Sequence, residues 1–275
     1  MVKSELIQGY IQGKLRLINS KPLKNLLITT SKVLFRILCL AAFLFGINIY
    51  STAQEIVPEI TIKKTTDFKV NGKGNSPQWE QTEWFGIFPQ KGPKQAIAGT
   101  NHPTRVKVLY SETGIYCLYD CQDETLTSSI KKDFGRLFTE DVVEFFLWPN
   151  TDYPIYLEYE LSPRNKELLI LVPNIGGAGM GWRPWLYEKD RKVQHETSVT
   201  GGKRKNKAKI TNWKAEFFIP YAVMSPIVKK APPSGTHWRA NFYRIDYDQE
   251  PTYYTWAKTS GSFHEYEKFG IIAFE

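Results

Sequence analysis

Glu144, Glu158 and Glu160 are acidic side chains set into apolar stretches, Val142-Val-Glu-Phe-Phe-Leu-Trp148 and Tyr156-Leu-Glu-Tyr-Glu-Leu161, with Asp141 just ahead of the first. The chemistry such carboxylates could do is glycoside hydrolysis, which needs a proton donor and a second carboxylate facing it across a sugar ring. Asp141 and Glu144 are three apart, so an extended strand points them to opposite faces and they do not act as a pair. Glu144 could pair across strands with Glu158 or Glu160, which spacing alone does not decide. The other common signatures are missing from the sequence: there is no GxSxG elbow and no HExxH. Gly176, Gly177, Gly179 and Gly181 do not give GxGxxG spacing, and no phosphate-binding lysine follows them. His102, His195, His237 and His264 are too scattered to make a metal cluster and read as surface or structural histidines, His264 being the one nearest other candidate residues.

Aromatic rings beside carboxylates and amides suit a different task, the capture of a sugar without chemistry. A pyranose ring packs its C–H face on an aromatic face, while its hydroxyls need directional partners. Phe138, Trp182, Trp185 and Phe263 fall in or beside expected loops and are the candidates for ligand contact. Trp79, Trp213, Trp238 and Trp256 sit in apolar strand patterns and are expected in the core. The glycines around Trp182 and Trp185 loosen the loop that carries them.

The elements positioning these residues alternate with a period of two. Thr104-Arg-Val-Lys-Val-Leu-Tyr110 and Ile115 to Cys121 flank a Ser-Glu-Thr-Gly turn and read as a hairpin. Strands follow at 142–148, 156–161, 167–172, 213–219, 237–245, 252–256 and 270–274. Residues 123–138 form an excursion and 221–228 a short helical turn. Nine or ten strands spaced by turns, without internal repeat or linker, predict a single all-β domain, an antiparallel β-sandwich.

Composition agrees, with 42% hydrophobic, 23% charged and 14% aromatic residues in 275, which excludes whole-chain disorder. The formal net charge of +8 sits mostly at the start. Residues 1–53 carry seven Lys and Arg against Glu5, so +8 − 6 leaves +2 for residues 54–275. That stretch ends in an apolar run, Ile37 to Ile47, followed by Ser51-Thr-Ala53, the pattern of a signal peptide with a long basic n-region, cleaved after Ala53. Its apolar core is shorter than the ~20 residues of a membrane span, so no span is expected after cleavage. Without clustered charge on the domain, nucleic acid is not an expected partner. Lys203-Arg-Lys-Asn-Lys207 reads as a solvated loop. Cys117 and Cys121 lie four apart in one strand, ~13 Å at full extension, and read as free buried thiols.

Taken in order, several segments together resemble carbohydrate-binding module family 9, a DOMON-like group of β-sandwiches. They are Trp79; Val106 to Tyr110; Tyr116 to Asp120; Asp141-x-x-Glu144-x-Phe-Leu147; Trp213-x-x-Glu216-x-x-Ile219-Pro220; Gly235-x-x-Trp238-x-x-Asn241-x-x-Arg244; Trp256; and Phe263-His264-x-x-Glu267-x-Phe269-Gly270. The resemblance covers about residues 58–275 and implies a non-catalytic module of an exported protein, periplasmic or extracellular, in a Gram-negative bacterium that degrades polysaccharide. It implies a sugar held between two aromatic rings, here Phe138 and Phe263 where xylanase-linked members carry tryptophans. Glu144 is then the strand glutamate of the site, and Glu158 stands near the place of a family arginine. His264, Trp182 and Trp185 complete the expected contacts. Calcium, structural in some members, would look to Asp120, Asp123 or Glu124. Haem, bound by related DOMON folds, would need His264, Met180 or Met224. An envelope adaptor without sugar binding is the remaining alternative.

Overall fold

The computed structural model describes residues 57–90, 102–175, 178–179, 181–248 and 250–275, together with the isolated Lys32 and Arg36. The chain divides into two compact units, Met1–Ile56 and Val57–Glu275. The expected leader, its cleavage point after Ala53, and Met180 lie outside the described residues apart from Lys32 and Arg36. No helix among the described residues is long and apolar enough to cross a membrane.

The second unit holds fifteen strands among its described residues: β1 (Glu59–Lys64), β2 (Phe85–Gln90), β3 (Thr104–Tyr110), β4 (Gly114–Gln122), β5 (Thr125–Leu126), β6 (Val142–Trp148), β7 (Ile155–Leu161), β8 (Glu167–Ile175), β9 (Ala178–Gly179), β10 (Gln194–Thr200), β11 (Ala208–Lys209), β12 (Asn212–Pro220), β13 (His237–Asp246), β14 (Thr252–Thr255) and β15 (Gly270–Phe274). One layer runs β10-β12-β4-β3 and the other β15-β13-β6-β7-β8-β9, joined through β1, with β2 and β14 closing the side. β1 pairs with β15 over Glu59–Ile62 and with β3 over Lys63–Lys64, both times in parallel, so the otherwise antiparallel sandwich contains two parallel joints. The β3–β4 hairpin and the strands at 142–148 and 270–274 fall where the alternation places them. β1, β2 and β10 are additional, as are the two-residue strands β5, β9 and β11. β10 is a mostly polar edge strand bonded only to β12, and β2 carries Pro89, so neither shows the apolar alternation of a central strand. A 3₁₀ turn at Tyr221–Met224 is the expected short helical segment.

The alternation resolves into two faces. Val143, Phe145 and Leu147 of β6, Leu157, Tyr159 and Leu161 of β7, and Ile115, Cys117, Tyr119 and Cys121 of β4 fill the space between the layers with Trp213, Trp238 and Phe242. The two cysteines are free and buried there. Neither outer face is left to water. On the first layer, Trp79 packs with Tyr116, Leu118 and Phe218, held down by Glu216, whose carboxylate accepts Trp79 Nε1–H (2.8 Å) and the backbone N–H groups of Asn71 (2.9 Å) and Gly72 (2.7 Å). Gly72 sits at φ +75°, where an added Cβ would lie 2.7 Å from Thr197 N. On the second layer the outward residues are Glu144, Phe146, Tyr156, Glu158, Glu160 and Tyr243, all buried by covering loops.

Arg244, fully buried on β13, crosses between layers. Its guanidinium donates to Thr104 Oγ1 on β3 (2.9 Å), the Gln122 carbonyl on β4 (2.7 Å), Asp123 (3.0 Å) and Asp246 (2.9 Å). Removing one partner of a buried ion pair leaves the other charge uncompensated. Arg244→Met is expected to lower unfolding free energy by ~3–5 kcal/mol, measured as a shift of the urea midpoint with unchanged slope.

Candidate functional site

The register of β13, β6, β7 and β8 builds the candidate site. Tyr243 stands opposite Glu144, and Glu144 opposite Glu160, so the three form one row across the sheet. The neighbouring row is Asn241, Phe146, Glu158 and Ile170. Directly opposed residues share a face, so the three glutamates lie together in one patch bounded by rings. Asp141 is excluded from it. Its buried carboxylate accepts the backbone N–H of Tyr247 (2.8 Å) and of Thr127, which fastens two loops and leaves it no catalytic role beside Glu144.

Two loops bring the remaining rings. The 3₁₀ turn before β6 carries Phe138, 39% exposed, whose carbonyl accepts the Tyr247 hydroxyl (3.0 Å) and whose ring lies 5.3 Å from the Arg136 guanidinium. The segment before β15 carries Phe263 and His264. Phe263 stacks on Tyr243, with centroids 4.0 Å apart and planes 14° from parallel, and Tyr253 meets it at 79°. One face of Phe263 is therefore already covered by a ring of its own sheet. His264 shares a 2.6 Å hydrogen bond with the Tyr156 hydroxyl, and its ring lies 3.9 Å from the Glu158 carboxylate. Among the described residues, Glu158 Oε2 and Glu160 Oε2 are buried without a hydrogen-bond partner.

Of the expected contacts, the structure places Phe138, Glu144, Glu158, Phe263 and His264 on or beside this one face. Trp182 and Trp185 lie elsewhere. Trp182 bridges Leu171 through reciprocal 3.0 Å backbone bonds, which sets it on Leu171's side of the sheet edge and not on the glutamate side. Trp185 is 76% exposed in the following loop. Glu160, raised from the sequence only as a possible cross-strand partner of Glu144, joins the site, as do Tyr243, Tyr247 and Tyr253, which the sequence did not single out. Their signal was the Tyr156-x-Glu-x-Glu160 alternation and the tyrosines crowded into 243–254.

The carbohydrate-binding family 9 model matches residues 100–274. That is most of the unit whose sheet carries the glutamate row. The chain belongs to carbohydrate-binding family 9. Solved structures share its fold. A Bacteroides uniformis protein described as a candidate carbohydrate-binding protein is 17% identical, with a TM-score of 0.65, and covers 80% of this chain and 100% of its own. A family 9 module of Caldicellulosiruptor kristjanssonii, solved with cellotriose, is 17% identical with a TM-score of 0.55, covering 79% and 94%. The same organism's module with glucose gives 17%, 0.56, 79% and 96%. No curated protein matches.

The residues of this family 9 domain do not fit a calcium ion at the expected positions. Asp120 is engaged by Arg105 (2.8 Å) and by Asn212 Nδ2 (2.7 Å), and Glu124 is largely exposed. Asp123 does fall in a cluster with His102, Asp246 and Asp248, whose ligand atoms lie within 4.8 Å of one another, but Arg244 already supplies the cation there. Asp123 also accepts Trp213 Nε1–H (3.1 Å) and Thr125 N–H (3.1 Å), and a histidine replaces one oxygen of a calcium shell. Burial nonetheless pushes Asp123 up to about 7 against the pull of Arg244. Haem ligation fares no better, because Met224 packs in the inter-layer core and His264 on the outer face.

Burial raises the carboxyl groups of Glu144 and Glu160 well above the usual range, and the Glu158 charge adds to both; burial pushes Glu158 itself up to about 7. A raised carboxylate binds its proton more tightly in the folded state, so its contribution is fully present below its ordinary value of 4.5 and is lost as pH rises through about 7. The thermal midpoint is therefore expected to fall by several degrees between pH 5 and pH 8. Glu158→Gln should flatten that dependence and raise the midpoint at pH 8, and an unchanged slope in differential scanning calorimetry would remove the basis for it.

Proposed function

We propose that the glutamate face binds a saccharide and performs no chemistry. The observation that carries the reading is one face on which three carboxyls, paired with no lysine or arginine among the described residues, are bordered by the 39%-exposed Phe138 ring and by His264. Such carboxyls accept and donate hydrogen bonds, and sugar hydroxyls are directional partners for both. Phe138 and Phe263 border those acceptors and offer ring surface for the C–H face of the sugar. His264, half exposed at the edge of the same patch, is placed to orient a hydroxyl. Membership of family 9 supports this use of the face, as do the cellotriose and glucose complexes of the Caldicellulosiruptor module.

Hydrolysis is disfavoured by placement. Glu144, Glu158 and Glu160 share one face of the sheet, so they do not flank a glycosidic bond from its two sides as a proton donor and its partner carboxylate must. The basic, apolar leader ending at Ala53 supports export to the periplasm or beyond, where the module would assist polysaccharide breakdown.

Phe138 is the cleaner test of the two rings, because Phe263 also supports Tyr243. Phe138→Ala is expected to weaken binding of a sugar found on a glycan array about tenfold while leaving the thermal midpoint in place. Phe138→Ala with Phe263→Ala should abolish it. Unaltered affinity in the double variant would sink the assignment of this face.

A further inference from the structure

A groove of about 680 Å³ opens at the turn of the β7–β8 hairpin, past Leu168, which ends the glutamate row opposite Glu160, and its lining is rich in cations. Lys131, Lys132, Arg183 and Lys192 border it, and none of the four has an ion-pair partner among the described residues. Of the three acids in the lining, Glu188 is exposed and the other two are engaged. Asp133 pairs with Lys166 (3.6 Å), and the buried Glu167 accepts the Tyr187 hydroxyl (2.8 Å) and faces His195 (3.4 Å). The groove therefore concentrates positive charge on a domain whose net charge from residue 54 onward is only +2 (+8 − 6).

The floor is aromatic and held under strain. Phe134 lies beneath Arg183, whose guanidinium is 3.7 Å from its ring centroid, and Tyr187 meets it edge-on at 82°. Phe134 has φ +60° and Leu186 φ +49°, backbone conformations that bulky side chains seldom adopt. Phe134 is kept there by a 2.7 Å bond from its N–H to the Glu167 carbonyl. Two strained residues lining one groove suggest a surface shaped for a ligand rather than for local stability. Between Pro184 and Leu186, both in the lining, stands Trp185, 76% exposed.

We propose that this groove is a binding site for an acidic saccharide residue, whose carboxylate or sulfate is held by Lys132 and Arg183 while its ring packs on Trp185. Arginine presents paired donors to a planar anion, lysine a mobile point charge, and an exposed indole suits a pyranose face. The groove shares no lining side chain with the glutamate face, where a carboxylate-bearing sugar would meet buried acids, and it stands whether or not that face binds neutral sugar.

Affinity electrophoresis of the purified protein tests it, in gels containing polygalacturonate, dextran sulfate, neutral dextran or poly-glutamate. Retardation is expected in polygalacturonate or dextran sulfate, the one that retards identifying the acidic group, and not in neutral dextran. Lys132→Gln with Arg183→Gln should weaken it about tenfold or more. Trp185→Ala should weaken it too, and Phe138→Ala should leave it unchanged. The leader's basic residues are common to all variants, so the difference between them is the readout. No retardation in either acidic gel, equal retardation in poly-glutamate, or retardation unaffected by the charge variants would overturn the proposal. Loss with Phe138→Ala would overturn the separateness of the two sites.

Discussion

A fully buried guanidinium ties the two layers of this sandwich together. Arg244 lies in the inward-facing column of β13, one position before Asp246 ends it, and bonds to β3, to the end of β4 and to two aspartates. Without it, Asp123 and Asp246 would face each other in a medium of low dielectric, where like charges are costly. With it, the ends of β4 and β13 are held together, and so is the register of β13 against β6 that puts Tyr243 beside Glu144. The charge that organises the fold and the row that forms the candidate site thus meet on one strand, Arg244 pointing inward and its neighbour Tyr243 outward.

The opposite electrostatic choice is made on the outer face of the second layer. Among the described residues no lysine or arginine pairs with Glu144, Glu158 or Glu160, and only the His264 ring comes within 4.0 Å of one of them. Rings and loops cover the three carboxyls, so burial weakens their acidity. Asp123 is tied by Arg244 and Trp213, whereas the glutamates have one another and the edge of His264 for neighbours. The covering loops are themselves fastened, by Tyr247 to Phe138, by Tyr243 and Asn174 to the Phe263–His264 segment, and by Glu265 to three backbone amides at Ser260–Ser262. The aromatic borders of the candidate site are therefore held in place by the protein's own hydrogen bonds.

Trp182 and Trp185 show where spacing misleads. They share a glycine-rich loop with an obvious aromatic character, yet strand pairing at Leu171 turns Trp182 away from the glutamates, and Trp185 falls between two residues that line the cationic groove. That groove is assembled from residues 131–134, 166–167 and 183–192, segments unremarkable in isolation, so its charge could not be seen from the sequence. The same holds for Asp246 and Asp248 beside His102, which a search by sequence spacing passes over because 144 residues separate His102 from Asp246.

The sequence by itself determined the period-two alternation, and with it the β-sandwich, the central strands at 104–110, 142–148 and 270–274, the buried free thiols and the pairing of outward glutamates on β7. These are local consequences of which side chains prefer to leave water on a pleated strand. Membership of family 9 was legible too, because the order of strand motifs survives in one dimension. Only the tertiary structure decided that Glu144 opposes Glu160, that Phe263 is already stacked on Tyr243, and that polar β10 and proline-containing β2 are strands at all. Register, stacking and edge pairing are interactions between residues far apart in the chain, and no local preference encodes which distant partner a strand will meet.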